Sequence, residues 1–462
     1  MRLVHSNDEG LTLVEVIVAL LIFSIVAVGV AYSLTSTLTL TRDGRSREVA
    51  ANLAAEVIDS SRSIEDVFTV QQLPVADQTR VIDGVTYHLT RDAAWVTNNN
   101  ADAQCGAAGG TSAGGSLEFK RVNVEVTWDG MRAGTTPVRS DTLIAPNSRI
   151  NDPTLGTIVV SVQSASGSGM QGITVTAAPA SVTGNTAAAV TQTILPTDIQ
   201  GCSYVLKVVP GTYVVTITKT GYVDIDQNQN SANRTVSVTA GTSVSAGFQF
   251  DQGATYTANY NAKYNSPILR PSNLSTTFVT TYGNYLSPTA ARLLHPWGSG
   301  YLAIAGAPAA TTTAPNSGCL SPDPANWPIR NDNAVGSRDA SATAAPGGAA
   351  SLDVSMGLVK LSSVKDKYVT AVPEVSSAST DDPGCASQAV GPSGAGYQTY
   401  SFGKMANDSP TIALPFGSYK IYTSSNPQTA TSLGSVLGSI LPILGTNPVN
   451  NKVVTLDPRL VP

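Results

Sequence analysis

Histidine is scarce, three residues in 462, and the four cysteines stand far apart as Cys105, Cys202, Cys319 and Cys385. No C-x-x-C pair occurs and no histidine lies near a cysteine, so no metal site is expected. Charge is also sparse, 13% of residues with a net of −5, which leaves no basic footprint for nucleic acid. A hydrolase needs a nucleophile beside a base. His88 falls in a hairpin-like stretch and His295 in LLHPWGSG, and neither has a partner motif. The expectation is therefore no enzyme, no catalytic residue and no cofactor. Aromatics make up 6%; Trp297, Tyr301 and Trp327 suit a ligand platform less well than a local core. Proline is absent from Met1 to Gln72.

That proline-free stretch holds the chain's one long apolar run, Leu11–Leu34, in which Val16–Tyr32 has a single polar side chain, Ser24. It is long enough to span a bilayer. A secretory signal fits poorly, because the leader MRLVHSNDEG sets only Arg2 against Asp8 and Glu9, and the A-x-small match Ala27-Val28-Gly29 lies inside apolar sequence. Arg42, Arg45 and Arg47 follow the run; the positive-inside rule would keep them cytoplasmic, whereas residues 79–462 read as exported. The helical pattern continues past the run. Val49, Leu53 and Val57, and Ala50, Ala54 and Ile58, recur every four residues, opposite Glu48, Asn52, Glu56 and Asp59. One helix from Leu11 to Ser63 would be about 80 Å long. Gly29 and Gly44 weaken it by about 1 kcal/mol each.

Beyond Pro74 the period becomes two. RVIDGVTYHLT carries Asp83-Gly84, a hairpin signal. LEFKRVNVEVTW alternates Val122, Val124, Val126 and Trp128 with polar residues, with Leu117 and Phe119 out of phase, so a bulge is expected near Lys120. VRSDTLIAP closes this unit, and Asn147–Leu155 reads as a linker. Short strands then recur between turns over 154–250. Residues 251–350 are irregular, and strands return over 351–462. VPGTYVVTI and LPFGSYKIYT echo one another, a Pro/Gly turn launching a strand that opens on Tyr, which predicts a second sandwich-like module.

Glu9-Gly10-Leu11-Thr12-Leu13-Val14-Glu15 before an apolar helix resembles the class III signal of type IV pilins and type II secretion pseudopilins. The resemblance covers residues 1–63. It implies peptidase cleavage between Gly10 and Leu11, N-methylation of Leu11, and assembly roles for Glu15 and Thr12. It also supplies Glu15 with a partner. An acid in a span costs roughly 2.5–3.5 kcal/mol at mid-helix and less near its end. A new amine at ~4 Å returns about 4 kcal/mol at an effective dielectric of 20. Leu11 replaces the family's commoner phenylalanine, and the leader is acidic where the family's is usually basic. Residues 64–146 resemble the sheet that packs on a pilin helix. Residues 154–250 resemble the carboxypeptidase regulatory-like, prealbumin-like sandwich through Gly172-Ile173-Thr174-Val175, Thr197–Cys202, Pro210–Val215 and Gly221-Tyr222.

Four cysteines allow three pairings. Cys319 and Cys385 sit in matching Pro/Gly/Asp loops and are the favoured pair, leaving Cys105 with Cys202. DIDQNQN, Asp224–Asn230, spaces oxygen side chains like the start of a calcium loop. Gln229 and Thr235 stand where the motif needs Gly and Glu, which favours a plain turn. The expected fold class is α+β. A leader (1–10) precedes a helix (11–63, spanning at 11–34) packed on an antiparallel sheet (64–150). A sandwich (154–250), an irregular β region (251–350) and a second sandwich-like module (351–462) follow. The expected protein is a minor pilin or pseudopilin, made in the bacterial inner membrane and carried into an extracellular filament. Its expected partners are a prepilin peptidase, other pilin subunits, the membrane and a surface ligand. The alternative is a membrane-anchored adhesin with no filament role.

Overall fold

The computed structural model describes residues 13–64, 67–70, 77–97, 102–103, 117–132, 134–146, 152–260, 267–308, 319–373, 381–384, 399–428, 433–438, 440–444 and 452–460. Helix α1 runs unbroken from Leu13 to Arg62. Its large apolar side chains over residues 13–40 are exposed: Leu13 is 76% exposed, Phe23 70% and Leu40 59%. Its second half buries Ala50, Leu53, Ala54, Val57 and Ile58, the four-residue stripe expected. The large members of that stripe contribute about 1.5–3 kcal/mol each. The helix ends on a serine cluster. Ser60 and Ser61 Oγ donate to the Val57 carbonyl, and Ser63 Oγ to that of Ser60, one of the carbonyls the last turn leaves open.

The stripe packs on a sheet of β1 (Thr79–Ile82), β2 (Val85–Thr97), β3 (Asp102–Ala103), β4 (Leu117–Trp128) and β5 (Val138–Ile144), in order β1-β2-β4-β5 with β3 on β2. Tyr87, Leu89, Ala93, Val122, Val124, Val126 and Trp128 form its side of the core. The β1–β2 hairpin turns at Asp83 and Gly84, both at positive φ. The register shift expected near Lys120 falls between Val96 and Thr97, opposite Phe119 and Leu117. Phe119 points outward, 39% exposed. Lys120 stays in the buried phase of Val122.

The first sandwich holds β6 (Gly156–Gln163), β7 (Thr174–Pro179), β8 (Cys202–Val208), β9 (Gly211–Asp224), β10 (Gln229–Val238) and β11 (Ser243–Gln252). The order is β10-β9-β11-β6-β8 with β7 on β9, and β6–β11 is parallel. Strand β11 joins both halves, pairing with β6 up to Gln249 and with β9 from Phe250. Ile158, Val160, Ile173, Val215, Ile217 and Phe250 fill the interior.

The remaining chain is interwoven. Residues 254–260 pair in parallel with 349–354, and Ile268-Leu269 with Thr411-Ile412. Leu352, Val354, Met356, Leu358 and Ala413 share one core with Tyr256, Phe278 and Tyr301. Trp327 belongs to a second core with Val359, Ile421 and Leu456. Strand pairing thus runs across residue 350. The echo between the two halves has a shared geometry: Tyr213 OH donates to Val209 O and Tyr419 OH to Pro415 O, four residues back in each case. Each tyrosine follows a glycine at positive φ, Gly211 and Gly417. At Gly211 a Cβ would lie 2.3 Å from the Ala187 nitrogen, so only glycine fits.

Candidate assembly helix and the surfaces it meets

The free half of α1 is apolar on every side. Its best 18-residue window has a mean hydropathy of 2.9 and no residue buried in the protein. Such a cylinder must be covered by lipid or by other helices. Several of its hydroxyls bond back into the helix. Ser24, Thr37, Thr39 and Thr41 hydroxyls donate to carbonyls four residues back, and that of Thr35 to Tyr32, three back. Glu15 lies in the first turn, where the helix dipole favours a carboxylate by about 0.3–1 kcal/mol. Gly10, Leu11 and Thr12, expected to be cut, methylated and used in assembly, lie outside the described residues.

Past the apolar half, the sheet grips the helix by charge as well as by packing. Arg45 meets Asp83 at 2.7 Å, both exposed, so the pair is worth under about 1 kcal/mol. Arg62 donates to Thr142 Oγ1 from Nε (3.0 Å) and Nη2 (2.6 Å). Buried Arg91 donates to Ser61 Oγ at 3.0 Å. Burial lowers the pKa of Arg91, an effect opposed by Asp77.

Beyond the helix end, the sheet's inner face continues into a joint with the first sandwich, which the sequence reading missed. Trp95 is buried under Phe68 (centroids 4.9 Å) and Tyr204 of β8 (6.2 Å), and Phe68 meets Tyr204 at 5.2 Å. Val159 and Leu206 complete the cluster. Lys120, 2% exposed, lies 5.6 Å from the Trp95 ring centre. Asp198, also buried, faces it electrostatically. Burial raises the Asp198 pKa, against hydrogen bonds from the Cys202 and Gln200 amides and the Lys120 charge. Gln200 Nε2 reaches Asp92 at 3.3 Å on the rim. The available signal was a lysine at a core-phase position of β4.

The DIDQNQN stretch is a joint as well. Asp224 accepts from the Asn228 amide (2.7 Å) and side chain (2.9 Å). Gln227 Oε1 accepts from the His295 amide, its Nε2 donates to Tyr301 OH, and Tyr301 OH donates to His295 O. Gln227 and Gln229 thus join the sandwich to the body beyond it, while Asp224 and Asn228 close the turn itself. Among the described residues no group of three or more His, Cys, Asp and Glu converges. His88 meets Asp129 at 3.0 Å. Trp297, Tyr301 and Trp327 are core residues, divided between two clusters. Cys202 and Cys319 each stand in a disulfide; Cys105 and Cys385 lie outside the described residues.

Residues 5–31 match the family model of the prokaryotic N-terminal methylation motif. No curated protein matches the chain. Among solved structures, the Bacillus anthracis TIE protein aligns at 11% identity over 74% of this chain and 63% of its own, with a TM-score of 0.19. A streptococcal ancillary pilin aligns at 8% over 41% and 63%, TM-score 0.17. BcpA, the major pilin subunit of Bacillus cereus, aligns at 10% over 65% and 95%, TM-score 0.16. The chain thus spans less than two thirds of the first two, and at these scores the superpositions carry no argument.

Proposed function

We propose, from a chain whose residues 5–31 carry a prokaryotic N-terminal methylation motif of the prepilin type, that it is a minor pilin or pseudopilin of a type IV pilus-like filament. One observation carries the reading: the motif opens a helix whose first half is predominantly apolar and exposed while its second half is locked into a folded sheet. The uncovered half would sit in the inner membrane before assembly and among other subunits' helices afterward. A prepilin peptidase would cut after Gly10, and the new Leu11 amine of a neighbouring subunit would pair with Glu15. The β-bodies are too bulky to repeat at every subunit of a thin fibre, which favours a tip or surface position and a structural, ligand-presenting role. We also propose the pairs Cys319–Cys385 and Cys105–Cys202. The Leu320 amide bonds the Gly384 carbonyl at 3.0 Å, and Ala103 lies on β3 beside Trp95, in the joint that Tyr204 of β8 completes.

The test is the amino terminus of the native protein, by mass spectrometry of membrane and sheared-filament fractions. A chain starting at methylated Leu11 in both supports the reading. An intact Met1 in the membrane fraction alone refutes it and leaves an anchored adhesin. Glu15→Ala should still insert in the membrane but vanish from sheared filaments; normal incorporation would remove the role given to Glu15.

A further inference from the structure

Where α1 leaves its uncovered half, a groove of 610 Å³ opens between the helix and the end of β4. Tyr32, Arg42 and Asp43 line it from the helix, and Trp128, Asp129 and Arg132 from the strand and its turn. Its position is set by the helix. A hydrocarbon core of about 30 Å starting near Leu13 ends near Leu34. Tyr32 then stands at the interface, where aromatic side chains collect. Arg42 stands about 12 Å further along the axis, where its long side chain can bend back toward headgroups, and Asp43 lines the groove beside it.

The charge pattern is selective. Arg42, Asp43 and Arg132 make no ion pair among the described residues, and Asp129 meets His88, whose hydrogen bond lowers the Asp129 pKa. The groove therefore shows two guanidiniums and two carboxylates. A simple anion would meet the carboxylates, and a simple cation the guanidiniums. A phosphate ester carrying a primary ammonium satisfies both, since guanidinium grips phosphate through paired N–H donors and ammonium donates three N–H bonds to carboxylate. We propose that this groove seats the headgroup of a phosphatidylethanolamine in the membrane leaflet facing the β-bodies, where it fixes the height and tilt of the unassembled subunit. The proposal rests on the membrane stage of the function above.

The test uses the full chain, extracted in mild detergent with equimolar phosphatidylethanolamine, phosphatidylcholine and phosphatidylglycerol, and read by native mass spectrometry. Phosphatidylethanolamine should be retained about tenfold over phosphatidylcholine, which lacks N–H donors. Arg42→Gln with Arg132→Gln should abolish retention while leaving the melting of the β-bodies unchanged, since both arginines are exposed. Asp43→Asn should shift retention toward phosphatidylglycerol. Equal retention of all three lipids overturns the proposal, as does preference surviving in the double variant or phosphatidylglycerol dominating in the wild type. Self-association that expels lipid and is lost in the double variant would assign the groove to a neighbouring helix. A wild-type chain that fails to float with vesicles would instead sink the membrane stage itself, and this proposal with it.

Discussion

Replacing Tyr204 with alanine should undock the first sandwich from the helix-bearing sheet without unfolding either. Tyr204 is half-buried and meets two rings of the other unit, Phe68 at 5.2 Å and Trp95 at 6.2 Å. Each aromatic pair is worth about 0.5–1.5 kcal/mol beyond its buried area. With the lost area, the substitution removes about 3 kcal/mol from docking, a roughly 150-fold fall in the docked-to-undocked ratio. Trp95 reports the change, because it is only 2% exposed while docked. Acrylamide quenching and small-angle scattering should be run in oxidised and reduced protein. Reduced Tyr204→Ala should show an accessible tryptophan and a longer particle. The oxidised variant should stay compact, since the proposed Cys105–Cys202 bond makes redocking intramolecular at high effective concentration. Shielded Trp95 and unchanged scattering in the reduced variant would mean that the aromatic cluster does not hold the joint.

Other substitutions test the bodies themselves. Gly211→Ala forces a Cβ to 2.3 Å from the Ala187 nitrogen at φ +153° and should cost over about 2 kcal/mol, lowering the sandwich's melting temperature by roughly 10 °C; an unchanged melting point would refute the steric argument. Arg459→Met removes a guanidinium 2.8 Å from Asp457, side chains 2% and 1% exposed, and should cost about 3–5 kcal/mol by stranding a buried carboxylate. Adding Asp457→Leu should recover part of the loss in denaturant titrations. Burial lowers the His295 pKa below 6.5, against the Val223 carbonyl, Asp251 and Asp224. The folded protein therefore resists protonation, and stability that is full above pH 6.5 should decline as pH falls below it. His295→Gln should flatten that slope in pH-dependent melting.

The helix and the first sheet were legible because their periods are strong and local. A four-residue stripe over Val49–Ile58 and an Asp-Gly turn each name their structure without help from distant chain. The methylation motif was legible because Gly10 and Glu15 sit at a fixed spacing before an apolar run. Lys120 shows where local reading stops. In sequence it is one polar residue in an apolar strand; in the structure it is buried beside Trp95 and interacts with the charge of Asp198, which arrives from another module. The 251–350 region looked irregular for the same reason. Its strands are short, and although 276–280 pairs locally with 283–287 and 302–305, residues 255–260 and 268–269 find partners only at 349–354 and 411–412, beyond any local window. The groove at Tyr32 and Arg132 was likewise invisible, since only the crossing of helix and strand brings its charges together.

The pairing of residues 254–260 with 349–354, and of Ile268 with Thr411, sets the order in which this protein can come into being. Long-range and parallel pairings are slow, because loop closure must precede any contact that rewards it. The last strand, Val453–Leu456, lies against 417–420, and Arg459 then closes over the Trp327 ring at 5.3 Å. The helix-bearing sheet and first sandwich can complete themselves while later chain is still emerging, whereas the distal body waits for residues 453–459. A subunit held by its amino-terminal helix would pass through a stage with its near half finished and its far half open. Unpaired strands at that stage are the ones most prone to aggregate. Quality control of this subunit would therefore act late, when residues 453–459 close against the distal body.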